Sequence, residues 1–232
     1  MKSSQPINSF SSAPLESDNL CKRLAELYPE QFAQWLFGVR GVTVEKTELS
    51  REPIRADAVI LAQQDAATLH LEFQTKHQSD VPLPLRMLDY YVGLKRQHPA
   101  RRVRQALLLL KPTKAPILEQ YTDEHTVHSY QVVKLWELEP TELMPYQGLL
   151  PLATLCRTVS GEQLLREVAE RVQDIAEPQE QRETFSACRI LAGLRYNKKL
   201  VNQLLRENDM VEESVIYQEI LRRGVIRGKQ EG

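Results

Sequence analysis

Residues 54–91 read IRADAVILAQQDAATLHLEFQTKHQSDVPLPLRMLDYY, and they decide how the rest of the chain is read. Asp57 sits inside an apolar run, Ala-Asp-Ala-Val-Ile-Leu. After a polar loop, a second strand-like run carries Glu72, Phe73 and Gln74, and a proline-opened helix follows with Arg86, Asp89 and Tyr90. Acids are disfavoured in strands, so two of them in adjacent strands need a cause. Side chains alternate along a strand. Leu69, Leu71 and Phe73 therefore share one face, and Thr68, His70, Glu72 and Gln74 the other. Pairing Ala62 with Ala67 across a four-residue loop sets Asp57 opposite Glu72. A shift of one residue puts them on opposite faces. Directly opposed Cβ atoms lie about 4.5–5.5 Å apart, and two carboxylates that close repel unless a cation lies between them. A hard divalent ion with oxygen ligands, such as Mg²⁺, meets that need.

Working outward, residues 17–36 give an amphipathic opening helix, with Ser17 or Asp18 as its cap and Leu20, Leu24 and Leu27 as its stripe. Pro29 starts a further turn and Gly38 ends it. Residues 41–49 read as a first strand. Residues 83–96 read as a helix with Pro84 near its first position. Residues 103–110 form a continuous apolar run, the mark of a strand covered on both faces. Residues 126–138 read as one more strand. The order αβββαβ, with an extra strand, is an α/β or α+β class. From Pro140 onward the signals are helical: a capping box at Ser160–Gln163, Pro178 as a helix opener, a short amphipathic segment over 198–205, and a second capping box at Asp209–Glu212. The expected division is a flexible terminus over 1–16, a mixed domain over 17–139 and a helical extension over 140–232.

The pattern of Asp57, a loop, then Glu72-x-Gln74 on the next strand resembles the PD-(D/E)XK nuclease superfamily in its Glu-x-Gln variant. LEFQTK followed by PLRMLDYY is similar to the Rpn family of recombination-promoting nucleases, also labelled putative transposases. The opening DNLCKRL over 18–24 also resembles that family, over roughly residues 18–138, and the helical tail resembles that of cyanobacterial members more loosely. The resemblance implies a restriction-endonuclease-like core and a Mg²⁺-dependent endonuclease working in recombination or mobile-element DNA processing. It implies metal ligation by Asp57, Glu72 and the backbone carbonyl of Phe73, and a supporting role for Arg86, Asp89 and Tyr90. The superfamily's usual lysine is Gln74 here. Gln74 then orients water, and Lys76, two residues on with the same parity, supplies the cation. His70 on the Glu72 face is expected to be polar surface, and Glu26 or Glu30 could add a carboxylate.

With 232 residues, 42% of them apolar, the chain can bury a core. Net charge is -1, so nucleic-acid binding must come from a local patch. Residues 90–118 hold no acid and carry Lys95, Arg96, Arg101, Arg102 and Arg104, a candidate DNA-backbone contact. The three cysteines, Cys21, Cys156 and Cys188, show no metal or paired spacing. A reducing cytoplasm, no membrane partner and a possible homodimer are expected. No phosphate-binding glycine loop, GxSxG or HExxH motif is present. The reading from another class is a catalytically silent nuclease-like module that binds DNA or protein, with the helical tail as its partner surface. It would tolerate alanine at Asp57 and Glu72. A structural adaptor that ignores DNA is the third.

Overall fold

A computed structural model describes residues 13–45, 58–63, 66–75 and 81–205. The first helices, α1 (Ala13–Leu27) and α2 (Pro29–Phe37), pack beside a five-stranded sheet. Its order is β1 (Val42–Glu45), β2 (Ala58–Ala62), β3 (Ala67–Gln74), β4 (Arg102–Leu109) and β7 (Gln131–Lys134). The first three strands form an antiparallel meander, while β4 and β7 run parallel to β3. The change of direction follows from the connections. A short turn joins β2 to β3, whereas α3 (Leu83–Gln97) carries the chain over the sheet from β3 to β4, the crossover that parallel strands require. A separate hairpin, β5 (Gln120–Thr122) with β6 (Val127–Ser129), precedes β7. The class is therefore mixed α/β, a five-stranded mixed sheet flanked by helices.

The register pairs Ala62 with Ala67 and Ala58 with Leu71, the first of the two alignments that the sequence leaves open. Ala58, Ile60, Leu69, Leu71, Phe73, Ala106 and Leu108 turn toward α1 and α2 in the larger core. Val59, Leu107 and Leu109 turn toward Met87, Tyr90 and Leu94 of α3 in a second one. Because β3 is covered on both sides, seven of its eight residues are buried.

Two elements differ from the sequence reading. Helix α1 begins at Ala13, so Ser17 and Asp18 lie inside it rather than capping it. The single strand expected over 126–138 is broken at Tyr130: β6 pairs with β5, β7 joins the main sheet, and a 3₁₀ turn follows at Leu135–Glu137. The strand expected over 41–49 is described from Val42 to Glu45, its remainder lying outside the described residues, as does the capping box at 209–212.

The helices after residue 140 are α4 (Leu150–Ala153), α5 (Gly161–Gln173), α6 (Pro178–Ala192) and α7 (Lys198–Leu204). Ser160 caps α5 by accepting from the Gln163 amide at 3.2 Å, and Asn197 caps α7. Leu164, Leu165, Val168, Phe185 and Leu191 belong to the same buried cluster as Leu20, Phe32 and Leu71. The secondary-structure class changes near residue 140, but the core runs on without a break. Gly148 shows how close this packing is. A Cβ there would lie 2.3 Å from Cγ of Tyr28, and its N–H donates to Oε1 of Gln31 at 2.6 Å. Among the described residues no helix is long and apolar enough to cross a membrane.

Candidate functional site

The C-terminal half of β3 gathers the polar side chains that the core leaves unexplained. Glu72 is 3% exposed, in the middle of the sheet. Arg86 lies on α3 above it, one turn after the proline that opens the helix, and its guanidinium donates to Oε1 of Glu72. The same nitrogen reaches Oε1 of Gln74 at 3.3 Å. Alternation along β3 and the crossing of α3 thus make Arg86 a bridge between Glu72 and Gln74. A buried carboxylate needs such a partner, since desolvation without one is prohibitive. Oε2 of Glu72 has no hydrogen-bond partner.

Asp18 joins this group from α1. Its carboxylate accepts from Oγ1 of Thr75, at the end of β3. Burial raises the Asp18 carboxyl from 3.8 to about 6; the Thr75 hydroxyl opposes that rise, and the negative charge of Glu72 adds to it. Sequence reasoning missed Asp18 by treating it as a cap. The usable signal was its spacing: it stands three and seven residues before Cys21 and Ala25, both 0% exposed, so it lies on the buried stripe of α1.

His70 is also 0% exposed, which corrects its reading as polar surface. The polar face of β3 is roofed by α3, and Tyr90 packs its ring edge-on to His70 at 4.9 Å. His70 Nε2 stands 3.7 Å from Oε2 of Glu72. On its other side, Nδ1 meets Nε2 of Gln105 at 3.0 Å, as the pairing of His70 with Gln105 in the parallel register requires. Gln105 in turn meets His128 Nε2 at 2.7 Å through its Oε1. Burial lowers the His128 pKa from its ordinary value.

Of the α3 residues expected to support the site, Arg86 touches Glu72 and Gln74, Tyr90 touches His70, and Asp89 is exposed. Asp57 and Lys76 lie outside the described residues. Glu26 is exposed, and Glu30 accepts from the amides of Gly41 and Val42 at 3.2 and 2.9 Å, bracing the entry to β1. Neither adds a carboxylate at Glu72.

The basic run divides by use. Lys95 donates to the carbonyls of Pro99 and Arg101 at 2.9 and 2.8 Å, and Arg101 grips those of Ala62 and Ala67. Arg104 donates to the Phe37 carbonyl at 3.0 Å and stacks over that ring. These three cations hold backbone, Arg104 from an exposed position, whereas among the described residues no backbone contact of the Arg96 or Arg102 side chain is seen, and both are exposed. An open pocket of about 390 Å³, lined by Tyr91, Lys95, Arg102 and Arg104, lies at the Ala67 end of β3. Glu72 and Gln74 are five and seven residues further along, roughly 16–23 Å at the rise of a strand.

Among the described residues no group of three or more His, Cys, Asp or Glu side chains is placed to hold a metal ion. The group placed nearest Oε2 of Glu72 is Nε2 of His70, at 3.7 Å, and the other polar side chains at this end of β3, Asp18 and Gln74, carry hard oxygen donors of the kind a Mg²⁺-type ion takes. The cysteines are buried and form no disulfide, and burial pushes the Cys156 thiol up to about 12. Comparison of the chain with protein-family models, with curated proteins and with solved structures finds no match.

Proposed function

We propose that this chain is a divalent-metal-dependent DNA endonuclease of the Rpn type, built on a PD-(D/E)XK-like core. The observation that carries the reading is Glu72: an acid on a central strand, 3% exposed, with one oxygen bound by Arg86 and the other left unpartnered. Most buried acids with a purely structural role have both oxygens satisfied. The element order from α1 through β4 agrees with the αβββαβ order expected of the superfamily.

In this reading Glu72 and the Phe73 carbonyl, with Asp57, hold the ion, and Asp18 adds a carboxylate from α1. The ion supplies an activated water and charge stabilisation at the scissile phosphate. Gln74 orients that water through its amide, with Lys76 in the role of the cation. Arg86 keeps Glu72 and Gln74 in one geometry and balances the carboxylate before the ion arrives. Arg96 and Arg102, exposed and on the acid-free stretch, meet DNA phosphates. The biological setting is recombination or mobile-element DNA processing, and a double-strand break would need two copies or two sequential nicks.

A second reading is favoured by one contact. Arg86 already neutralises Glu72, so the fold could be stable with no metal and act as a silent DNA- or protein-binding module. Plasmid cleavage separates the two. Supercoiled plasmid is incubated with purified chain in Mg²⁺ or EDTA, beside Glu72→Ala and Asp57→Ala. Metal-dependent nicking that disappears in both variants supports the nuclease. A folded wild type that leaves the plasmid intact under Mg²⁺ and Mn²⁺ refutes it.

A further inference from the structure

The chain of hydrogen bonds behind Glu72 carries a directional message. Gln105 is 6% exposed, on β4 beneath α3. Its Nε2 lies 2.9 Å from the Met87 carbonyl. A carbonyl only accepts, so the amide must turn its NH₂ toward Met87 and cannot be flipped. The second hydrogen of that NH₂ points to Nδ1 of His70, 3.0 Å away. An amide nitrogen only donates, so Nδ1 must be the accepting nitrogen. The ring proton of His70 is therefore on Nε2. The remaining atom of the amide agrees: Oε1 of Gln105 accepts from Nε2 of His128. Each of the three contacts of the Gln105 amide pairs a donor with an acceptor only when the amide is in this orientation.

Nε2 of His70 has no hydrogen-bond partner, and it stands 3.7 Å from the equally unpartnered Oε2 of Glu72. A short approach of the two closes a hydrogen bond from a ring N–H to a carboxylate. Sites of this kind commonly tighten only when loaded. The Tyr90 ring packed edge-on to the imidazole limits its rotation. A histidine nitrogen that carries a proton cannot ligate a metal. The same feature that offers Glu72 a donor thus removes His70 from the list of ligands.

We propose that Gln105 locks His70 in its Nε2–H form, so that His70 is a positioning residue that braces Glu72 and is withheld from metal binding. The consequence is selectivity. His70 and Glu72 are close enough to begin a nitrogen–oxygen site for Zn²⁺, which takes imidazole readily. With Nε2 protonated, the centre presents oxygen donors alone and suits Mg²⁺ or Mn²⁺. This inference rests on the metal-site reading of Glu72, but its lock can be tested without any nuclease activity.

The test uses the full chain, free of metal and DNA. Nitrogen-15 NMR of the histidine rings reads which nitrogen of His70 carries the proton. Wild type should show the Nε2–H form alone. Gln105→Met, which has neither an amide donor nor a charge, should give a mixture of the two forms. His128→Phe, which keeps the ring packing, should leave the wild-type form, because Met87 still orients the amide. Calorimetric titration with Zn²⁺ alone should show Gln105→Met binding about tenfold or more tightly than wild type, on the scale of other changes behind a metal ligand. That gain should vanish when His70→Phe is added. A wild-type His70 with its proton on Nδ1 overturns the lock, and this measurement decides the matter even if Gln105→Met does not fold. A folded Gln105→Met with mixed forms and no gain in Zn²⁺ affinity overturns the withholding. Absence of plasmid cleavage bears on the nuclease reading and changes none of these outcomes.

Discussion

Replacing Arg86 with Met keeps most of the apolar stem of the side chain and deletes its charge. In the native chain the Arg86 side chain is 22% exposed and that of Glu72 is 4% exposed. Breaking a fully buried ion pair by removing one partner costs about 3–5 kcal/mol, because the other charge stays buried. A surface pair contributes about 0–1 kcal/mol. With Glu72 buried and Arg86 reaching solvent at one side, the expected loss for Arg86→Met near neutral pH is about 2–3 kcal/mol. For a chain of this size that is a fall of roughly 4–12 °C in the midpoint of thermal unfolding. Urea denaturation followed by circular dichroism measures the free energy directly, and the slope should be unchanged. Two controls locate the cause. In a Glu72→Gln background the same Arg86→Met change should cost under about 1 kcal/mol, because no buried charge is left behind. In Arg86→Met alone, Mg²⁺ should restore stability, by about 2.7 kcal/mol at a hundredfold excess over its dissociation constant. A loss below about 0.5 kcal/mol, or an equal loss in the Glu72→Gln background, would refute the view that Arg86 acts as the resident counter-charge of Glu72.

The Asp18 carboxyl is raised from 3.8 to about 6, so the native state holds its proton more tightly than the unfolded chain does. Its contribution to stability is fully present below about pH 4 and is lost as pH rises through about 6. Asp18→Asn should remove that slope and leave the variant relatively more stable above pH 6, as read by urea midpoints across pH 3–8; Thr75→Val, which deletes the donor, should extend the slope to higher pH. Gly148→Ala should cost about 1–3 kcal/mol by overpacking, since the Tyr28 ring occupies the place of the new methyl group; thermal unfolding by calorimetry checks it. Arg96→Ala with Arg102→Ala should weaken duplex DNA binding and lower the salt slope by about 1–2 without a change in midpoint, whereas Arg101→Met should lower the midpoint instead. Fluorescence anisotropy at several salt concentrations distinguishes the two classes of arginine.

The sheet was legible where pattern and turn length agree. Two apolar runs around a short polar loop mark the β2–β3 hairpin, with its register left open to one residue until the structure pairs Ala62 with Ala67, and a proline followed by helical periodicity marks α3. The face of β3 was misjudged because a polar stripe was equated with solvent. Thr68, His70 and Glu72 are polar yet buried, because α3 crosses over them and Gln105 and Arg86 reach in from β4 and α3. Only long-range contacts reveal such a network. Asp18 was hidden by the same kind of error: a good capping residue inside a helix that starts earlier. The capping box at Ser160 located α5 and the amphipathic segment over 198–205 located α7, but nothing local says that these helices complete the core of α1 and α2. The basic run was visible as composition, but composition could not say that Lys95, Arg101 and Arg104 hold carbonyls.

Arg101 also bears on the order in which the chain can become native. Its guanidinium clasps the carbonyls of Ala62 and Ala67, the last residue of β2 and the first of β3, from positions 39 and 34 residues further along the sequence. The meander on which Glu72 depends therefore has its mouth closed by a side chain that a ribosome delivers only after α3 has been made. The two strands are joined by a glycine-free turn in which Ala66 takes the left-handed φ of 46°, a conformation that alanine resists. A chain released before Arg101 would hold β2 and β3 with one fewer check on their register. A slip of one residue there turns Glu72 to the opposite face of the sheet, away from Arg86. Completion of the candidate centre is thus tied to the arrival of β4, a strand that contributes none of its carboxylates.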